Sequence, residues 1–103
     1  MYAITYKNKL KKGKHIKDFQ DWLKTSWSMQ KTWGAEAVQT WKEEEGDHDY
    51  IFCEYHIKDI RQWNRQNMLH AGSDAIRELD QIIETSRITV SRIAYAPEPH
   101  THN

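Results

Sequence analysis

The sequence predicts an α+β domain, an antiparallel four-stranded sheet with two helices on one face, and three observations lead to it. Asp49-Tyr-Ile-Phe-Cys-Glu-Tyr-His-Ile57 is rich in aromatic and β-branched residues and follows the polar turn Glu45-Gly46-Asp47-His48, the signature of a strand entered through a hairpin. Two segments with apolar residues at helical spacing flank it. Shorter alternating segments stand at both ends of the chain. The elements in order are strand, helix, strand, strand, helix, strand, with helices too long to be hairpin loops and so acting as crossovers.

In Asp49–Ile57 alternation places Tyr50, Phe52, Glu54 and His56 on one face and Ile51, Cys53, Tyr55 and Ile57 on the other. Both sets are largely apolar, which suits the middle of a sheet covered on both sides. The first set is expected under the helices and the second against another sheet.

The first strand is predicted from Tyr2 to about Leu10, with Ile4, Tyr6 and Asn8 sharing the helix-facing side. Lys11-Lys12-Gly13-Lys14 ends it in a basic turn. From about His15 to Trp33 the residues Ile16, Phe19, Trp22, Leu23, Trp27, Met29 and Trp33 fall in one broad arc at 100° per residue, and Gly34 stops the helix. Such a stripe is what a core needs; its breadth also leaves room for a pocket. Ala35 to about Glu43 is the second strand, and Glu43-Glu44-Glu45 leads into the hairpin. Three adjacent carboxylates at a hairpin tip read as a solvated loop, without EF-hand or zinc spacing, so no metal site is expected.

Asp59 suits the N-cap of a second helix bearing Ile60, Trp63, Asn67 and His70. Ala71-Gly72-Ser73 breaks it, with Gly72 as C-cap and Ser73 as a new N-cap, and an amphipathic continuation carries Ala75, Ile76, Leu79, Ile82 and Ile83. Arg87 to Tyr95 is the last strand, and Pro97-Glu98-Pro99 ends all pairing. Residues 1–96 therefore form a single domain and 97–103 a flexible tail.

Composition narrows the function. The 103 residues carry Lys+Arg 15 against Asp+Glu 15, so no global field draws the chain to nucleic acid or a membrane. No apolar run reaches the roughly 18 residues of a membrane span, and with Met1 leading straight into the predicted first strand no signal peptide is expected. One cysteine excludes an internal disulfide, and a reducing, cytoplasmic location is expected. A phosphate-cradling glycine loop, a paired-cysteine motif and a nucleophile elbow are all missing, which argues against kinase, zinc-hydrolase and serine-esterase chemistry.

The βαββαβ order is the split-βαβ, ferredoxin-like arrangement, with both helices on one face. The other face lacks cover within the chain yet bears apolar residues, so a homodimer with sheets packed face to face is expected. In this respect the chain resembles the dimeric α+β barrel superfamily, which includes antibiotic-biosynthesis monooxygenases, NIPSNAP-like proteins and haem-degrading monooxygenases. The resemblance spans residues 2–95. It rests on the first strand followed by Lys-Lys-Gly-Lys, the long helix ending in Trp33-Gly34, and the central strand running into Asp59-Ile-Arg-Gln-Trp63. Haem-degrading members place an Asn near the end of the first strand, a Trp early in the second helix and a His further along it, the His on haem iron. Asn8, Trp63 and His70 stand in matching elements. The interval from Trp63 to His70 is shorter than in those members.

The candidate chemistry follows from these residues. His70, just before the helix break, is either an axial ligand, a general base or a helix cap. Glu54 and His56 share a strand face, so Glu54 either orients His56 as a base or pairs with it at a pocket rim. Arg92 either pairs with Glu54 or binds a substrate anion, and Cys53 is read as a small inert hydrophobe. In the enzyme reading, an oxygenase-like protein holds a flat hydrophobic or aromatic molecule between helices and sheet. Asn8, His56 and His70 then act as catalytic groups, and Trp22, Trp27, Trp63, Tyr6, Glu54 and Arg92 hold the ligand, with haem or no cofactor. The alternative is a non-catalytic dimeric binding or assembly module whose tryptophans are core.

Overall fold

The computed structural model describes residues 1–95 of the chain; the predicted tail, 97–103, lies outside them. The elements run β1 (Tyr2–Lys9), α1 (Ile16–Thr32), β2 (Ala35–Glu45), β3 (His48–Ile57), α2 (Ile60–Leu69), α3 (Asp74–Asp80), a 3-10 turn (Thr85–Arg87) and β4 (Thr89–Tyr95). The strands lie in the order β2-β3-β1-β4 with every neighbour antiparallel. This is the ferredoxin-like arrangement, with the two strands that flank each crossover separated in the sheet.

Local chemistry sets the boundaries. Glu45 pairs with His48, leaving Gly46 and Asp47 as a two-residue hairpin loop with Gly46 at φ 60°. α1 stops because Gly34 takes φ 105°, open to glycine and strained for other residues, and its N–H donates to the Lys31 carbonyl at 3.1 Å. The Asp59 carboxylate accepts from the Arg61 and Gln62 backbone N–H groups at 3.0 and 3.1 Å, capping α2. Ser73 caps α3 by accepting from Ile76 N at 3.4 Å.

Two boundaries differ from expectation. His70, not Gly72, is the C-cap of α2; its N–H donates to the Gln66 carbonyl and no left-handed residue is needed. α3 ends at Asp80, before Ile82 and Ile83, because the chain there turns to satisfy the end of β1. Ile83 forms a bridge with Leu10, Lys11 N donates to Ile82 O, and Glu84 N donates to Lys9 O.

The pairing of β1 with β3 corrects the predicted faces. Ile4 lies opposite Tyr55, Tyr6 opposite Cys53 and Asn8 opposite Ile51. Residues directly opposite share a face. Ile51, Cys53, Tyr55 and Ile57 therefore lie under the helices with Ile4, Tyr6 and Asn8, all but Tyr6 buried. Tyr50, Phe52, Glu54 and His56 face the uncovered side with Thr5 and Lys7. Both parity sets of β3 are apolar enough to be buried, so β3 alone does not declare its inner face; its partner strand does.

β4 holds an irregularity that matters below. Thr5 pairs with Arg92 but Tyr6 with Val90, so Ser91 is an extra residue, a β-bulge. Val90 consequently stays on the helix side while Arg92 faces the open side. Phe19, Trp22 and Leu23 of α1 meet Trp33, Trp63, Leu79 and Ile83 over the inner sheet face to form the core.

Replacing Ile51, 0% exposed, by Ala should lower stability in urea unfolding by about 2–5 kcal/mol. A loss under about 1 kcal/mol would put that side chain on the open face.

Candidate functional site

Three helices and the inner sheet face do not close completely. Between them lies a cavity of about 520 Å³. Tyr6, Asn8, Cys53 and Tyr55 form its floor. Phe19, Trp22, Gln30 and, just past the helix end, Trp33 form the α1 wall. Trp63, Asn67 and Met68 of α2 face Ile76 and Leu79 of α3 across the other side, and Ile88 and Val90 border the mouth along β4.

The indoles do two jobs. Trp22 Nε1 donates to the Ala75 carbonyl at 2.8 Å, tying α1 to the start of α3. Trp63 Nε1 donates to Tyr6 Oη at 2.8 Å, tying α2 to β1, while its ring packs against Tyr55 with centroids 4.8 Å apart and against Trp33 at 6.1 Å. Buried indole N–H groups need such partners, and here each partner fixes a wall. Asn8 Nδ2 donates to the Ile51 carbonyl at 3.1 Å, and Asn67 Nδ2 to the Trp63 carbonyl at 2.8 Å.

Among the described residues the wall holds no Asp, Glu, Lys, Arg or His. Its titratable groups stay neutral. Burial raises the Tyr6 hydroxyl, the hydrogen bond from Trp63 opposing it, and raises Tyr55 further. Burial also pushes the Cys53 thiol up to about 12. What the arrangement offers a ligand is aromatic surface and a few uncharged polar atoms.

The predicted site residues divide. Asn8, Tyr6, Trp22 and Trp63 come together on this cavity. Trp27 sits apart, in a shallow groove with Gln20, Leu23, Lys24 and Val38 on another side of α1. His70 ends α2 behind the wall: its ring lies against Trp33 with centroids 4.9 Å apart, and Nδ1 is 3.0 Å from the Gln66 carbonyl. A carbonyl only accepts, so Nδ1 carries the proton. Glu54, His56 and Arg92, expected at the pocket, are on the open face: the β1–β3 register turns Glu54 and His56 there, and the pairing of Arg92 with Thr5 of β1 does the same for Arg92. Glu54 accepts from Gln39 Nε2 at 2.9 Å and from Thr5 Oγ1 at 3.4 Å, and His56 Nε2 lies 3.4 Å away. Among the described residues Arg92 has no ion-pair partner, so the expected pairing with Glu54 does not form.

Sequence reasoning passed over Gln30, Tyr55, Asn67 and the β4 edge. For Gln30 a signal was present: Trp22, Ser26, Gln30 and Trp33 follow one another at helical spacing on the inward arc of α1, and polar residues inside a tryptophan stripe mark a place where the core is not simply apolar.

No protein-family model matches the chain, and no curated protein matches it in sequence. Solved structures do. HapK from Hahella chejuensis superposes with a TM-score of 0.64 at 9% identity, over 100% of this chain and 99% of that one. A dimeric ferredoxin-like protein from an uncultured marine organism gives 0.56 at 10% identity, over 90% of this chain and 92% of that one. Likeness at these identities is likeness of fold, and it agrees with the ferredoxin-like topology. No helix among the described residues is long and apolar enough to cross a membrane.

The Cys53 thiol gives a test of the site's burial. Its folded pKa is raised, so the stabilisation it brings is fully present below about pH 9 and is lost as pH rises toward about 12. Urea unfolding should show stability falling across that window, by at most about 1.4 kcal/mol per pH unit from this group, with Tyr6 and Tyr55 adding above pH 10. Cys53→Ala should flatten part of the slope; an unchanged slope would place the thiol in water.

Proposed function

We propose that this chain is a homodimeric member of the dimeric α+β barrel superfamily that binds a flat, hydrophobic or aromatic molecule between its helices and its sheet. The observation that carries the reading is the cavity of about 520 Å³ with aromatic walls and, among the described residues, no charged side chain. Preformed, mostly apolar clefts of this size with a few convergent polar atoms are where small molecules bind. Planar walls such as Trp33, Trp63 and Tyr55 favour planar ligands through offset and edge contacts.

A monooxygenase reading is favoured by one further observation. Asn8, Tyr6 and Trp63 set uncharged polar groups at the floor of an aromatic cavity. Tyr6 Oη accepts from Trp63, keeps its own proton, and is placed to donate to a carbonyl or phenolic oxygen. In that reading these residues orient the substrate and the apolar walls keep water out. A haem ligated through His70 does not fit: the ring lies behind Trp33, and among the described residues the cavity wall holds no histidine.

The homodimer reading draws on the open face. Trp41 stacks on Phe52 with centroids 5.6 Å apart and planes within 6°, and Lys7 Nζ sits 4.3 Å over the Tyr50 ring. Aromatic surface of this kind, without cover from the chain's own helices, suits a second sheet. The solved ferredoxin-like relative described as dimeric is in keeping with it.

Titration with neutral bicyclic or tricyclic aromatics, followed by tryptophan fluorescence and calorimetry, tests the binding role. Saturable binding of one ligand per chain is expected, weakened at least about tenfold by Val90→Trp, which blocks the mouth without touching the core. Binding that does not saturate, or that ignores Val90→Trp, would sink the reading. For the dimer, light scattering behind size exclusion should give twice the chain mass at micromolar concentration. Phe52→Asp should give a folded monomer, since its carboxylate would be buried beside Glu54. A monomeric parent chain would end that part of the proposal.

A further inference from the structure

We propose that the molecule held in the cavity carries an apolar chain, and that this chain leaves through the mouth and lies along the helix-facing side of β4. The inference rests on the binding role proposed above and names the ligand class for that cavity, a flat aromatic head with an uncharged hydrocarbon tail.

Four large apolar side chains, Ile88, Val90, Ile93 and Tyr95, stand two, three and two residues apart at the end of the domain. In a regular strand, alternation would put Ile93 and Tyr95 on one face and Ile88 and Val90 on the other. The extra residue at Ser91 removes that conflict. Tyr95 pairs with Tyr2, Ile93 with Ile4 and Val90 with Tyr6, all on the helix side, and Ile88 joins Val90 in lining the cavity. The polar Thr89 and Arg92 pair with Lys7 and Thr5 and face the other way. Bulges re-aim side chains, and this one gathers an unbroken apolar row.

A row of that kind is what a helix would bury, yet among the described residues no helix covers it. Ile4 is 1% exposed, whereas Ile93, its partner across the ladder, is 54% exposed. Val90 is 53% and Tyr95 76% exposed. Helical cover therefore ends between β1 and β4.

Continuity with the cavity says what occupies the row. Ile88 and Val90 belong both to the cavity wall and to the row, and Met68 of α2, also exposed, lines the same cavity. A chain leaving the mouth meets Val90 first, then Ile93 and Tyr95, an apolar path of roughly 20 Å counted from Ile88. Contiguous apolar surface bordered by polar residues marks a binding site. The dimer proposed above uses the opposite face of the sheet and leaves this row free. Residues 96–103, Ala-Pro-Glu-Pro-His-Thr-His-Asn, bring only small apolar side chains and offer little to bury it.

Two neutral ketones with one ring system separate head from chain. They are 2-acetylnaphthalene and 2-octanoylnaphthalene, titrated by calorimetry below the concentration at which the longer one aggregates. The parent protein should bind the octanoyl ketone at least about tenfold more tightly. Ile93→Asp, on the row but outside the cavity wall, should cut that advantage to about threefold or less, and Tyr95→Ser should cut it as well. With the acetyl ketone bound, an advantage under about threefold in the parent protein would overturn this proposal and leave the cavity's binding role standing. So would a full advantage kept by both variants, which would put the chain inside the cavity. Light scattering checks the other occupant: a dimeric parent made monomeric by Ile93→Asp would give the row to a second copy, and the proposal would fall. If neither ketone binds, the cavity's binding role falls, and this inference with it.

Discussion

Everything in this domain depends on how β3 is registered on β1. Tyr6 opposite Cys53 and Asn8 opposite Ile51 put a hydroxyl, an amide and a thiol on the same side as the helices. That register delivers Tyr6 Oη to the Trp63 indole, and the bond between them holds α2 at the distance that leaves a cavity rather than a filled core. The same register turns Glu54 and His56 outward. A slip of one residue would exchange the two sets, bury an unsatisfied carboxylate and expose Ile51 and Ile57.

The cavity's neutrality is a consequence of its depth. A tyrosine or thiol surrounded by aromatic rings holds its proton, because the charged form would lose its hydration with nothing to replace it. The chain's charges lie elsewhere, in surface pairs such as Lys7–Glu45 and Lys17–Asp21 that contribute little to stability. In the binding role proposed above, selectivity would rest on shape and on a few hydrogen-bonding atoms, which in a dry site discriminate well.

The topology was legible because each element had an independent signal: helical periodicity in α1, Gly46-Asp47 at the hairpin, Asp59 and Ser73 as caps. The faces of β3 were not, because alternation separates two sets without saying which is inward when both contain large apolar residues. A third of the candidate site followed that error. Asn8 and Tyr6 come from a strand whose outer side is plainly polar, and they were placed well; Glu54, His56 and Arg92 went to the wrong side. His70 was read with a helix cap among its roles, and a capping position behind Trp33 is where the structure has it. Gln30 was missed since a single amide in a tryptophan stripe does not show by itself that it lies buried against Ser26 on a cavity wall.

The extra residue in β4 has a consequence for assembly. A sheet can grow through its face, which pairs two copies and stops, or along its edges, which adds strands without limit. β4 is one of those edges, and the bulge at Ser91 breaks its ladder and twists it away from a flat template. The other edge, β2, ends in Glu43, Glu44 and Glu45, whose like charges would repel a second copy laid alongside. Both routes to a fibre are obstructed, as the closed pair proposed above for the aromatic face requires.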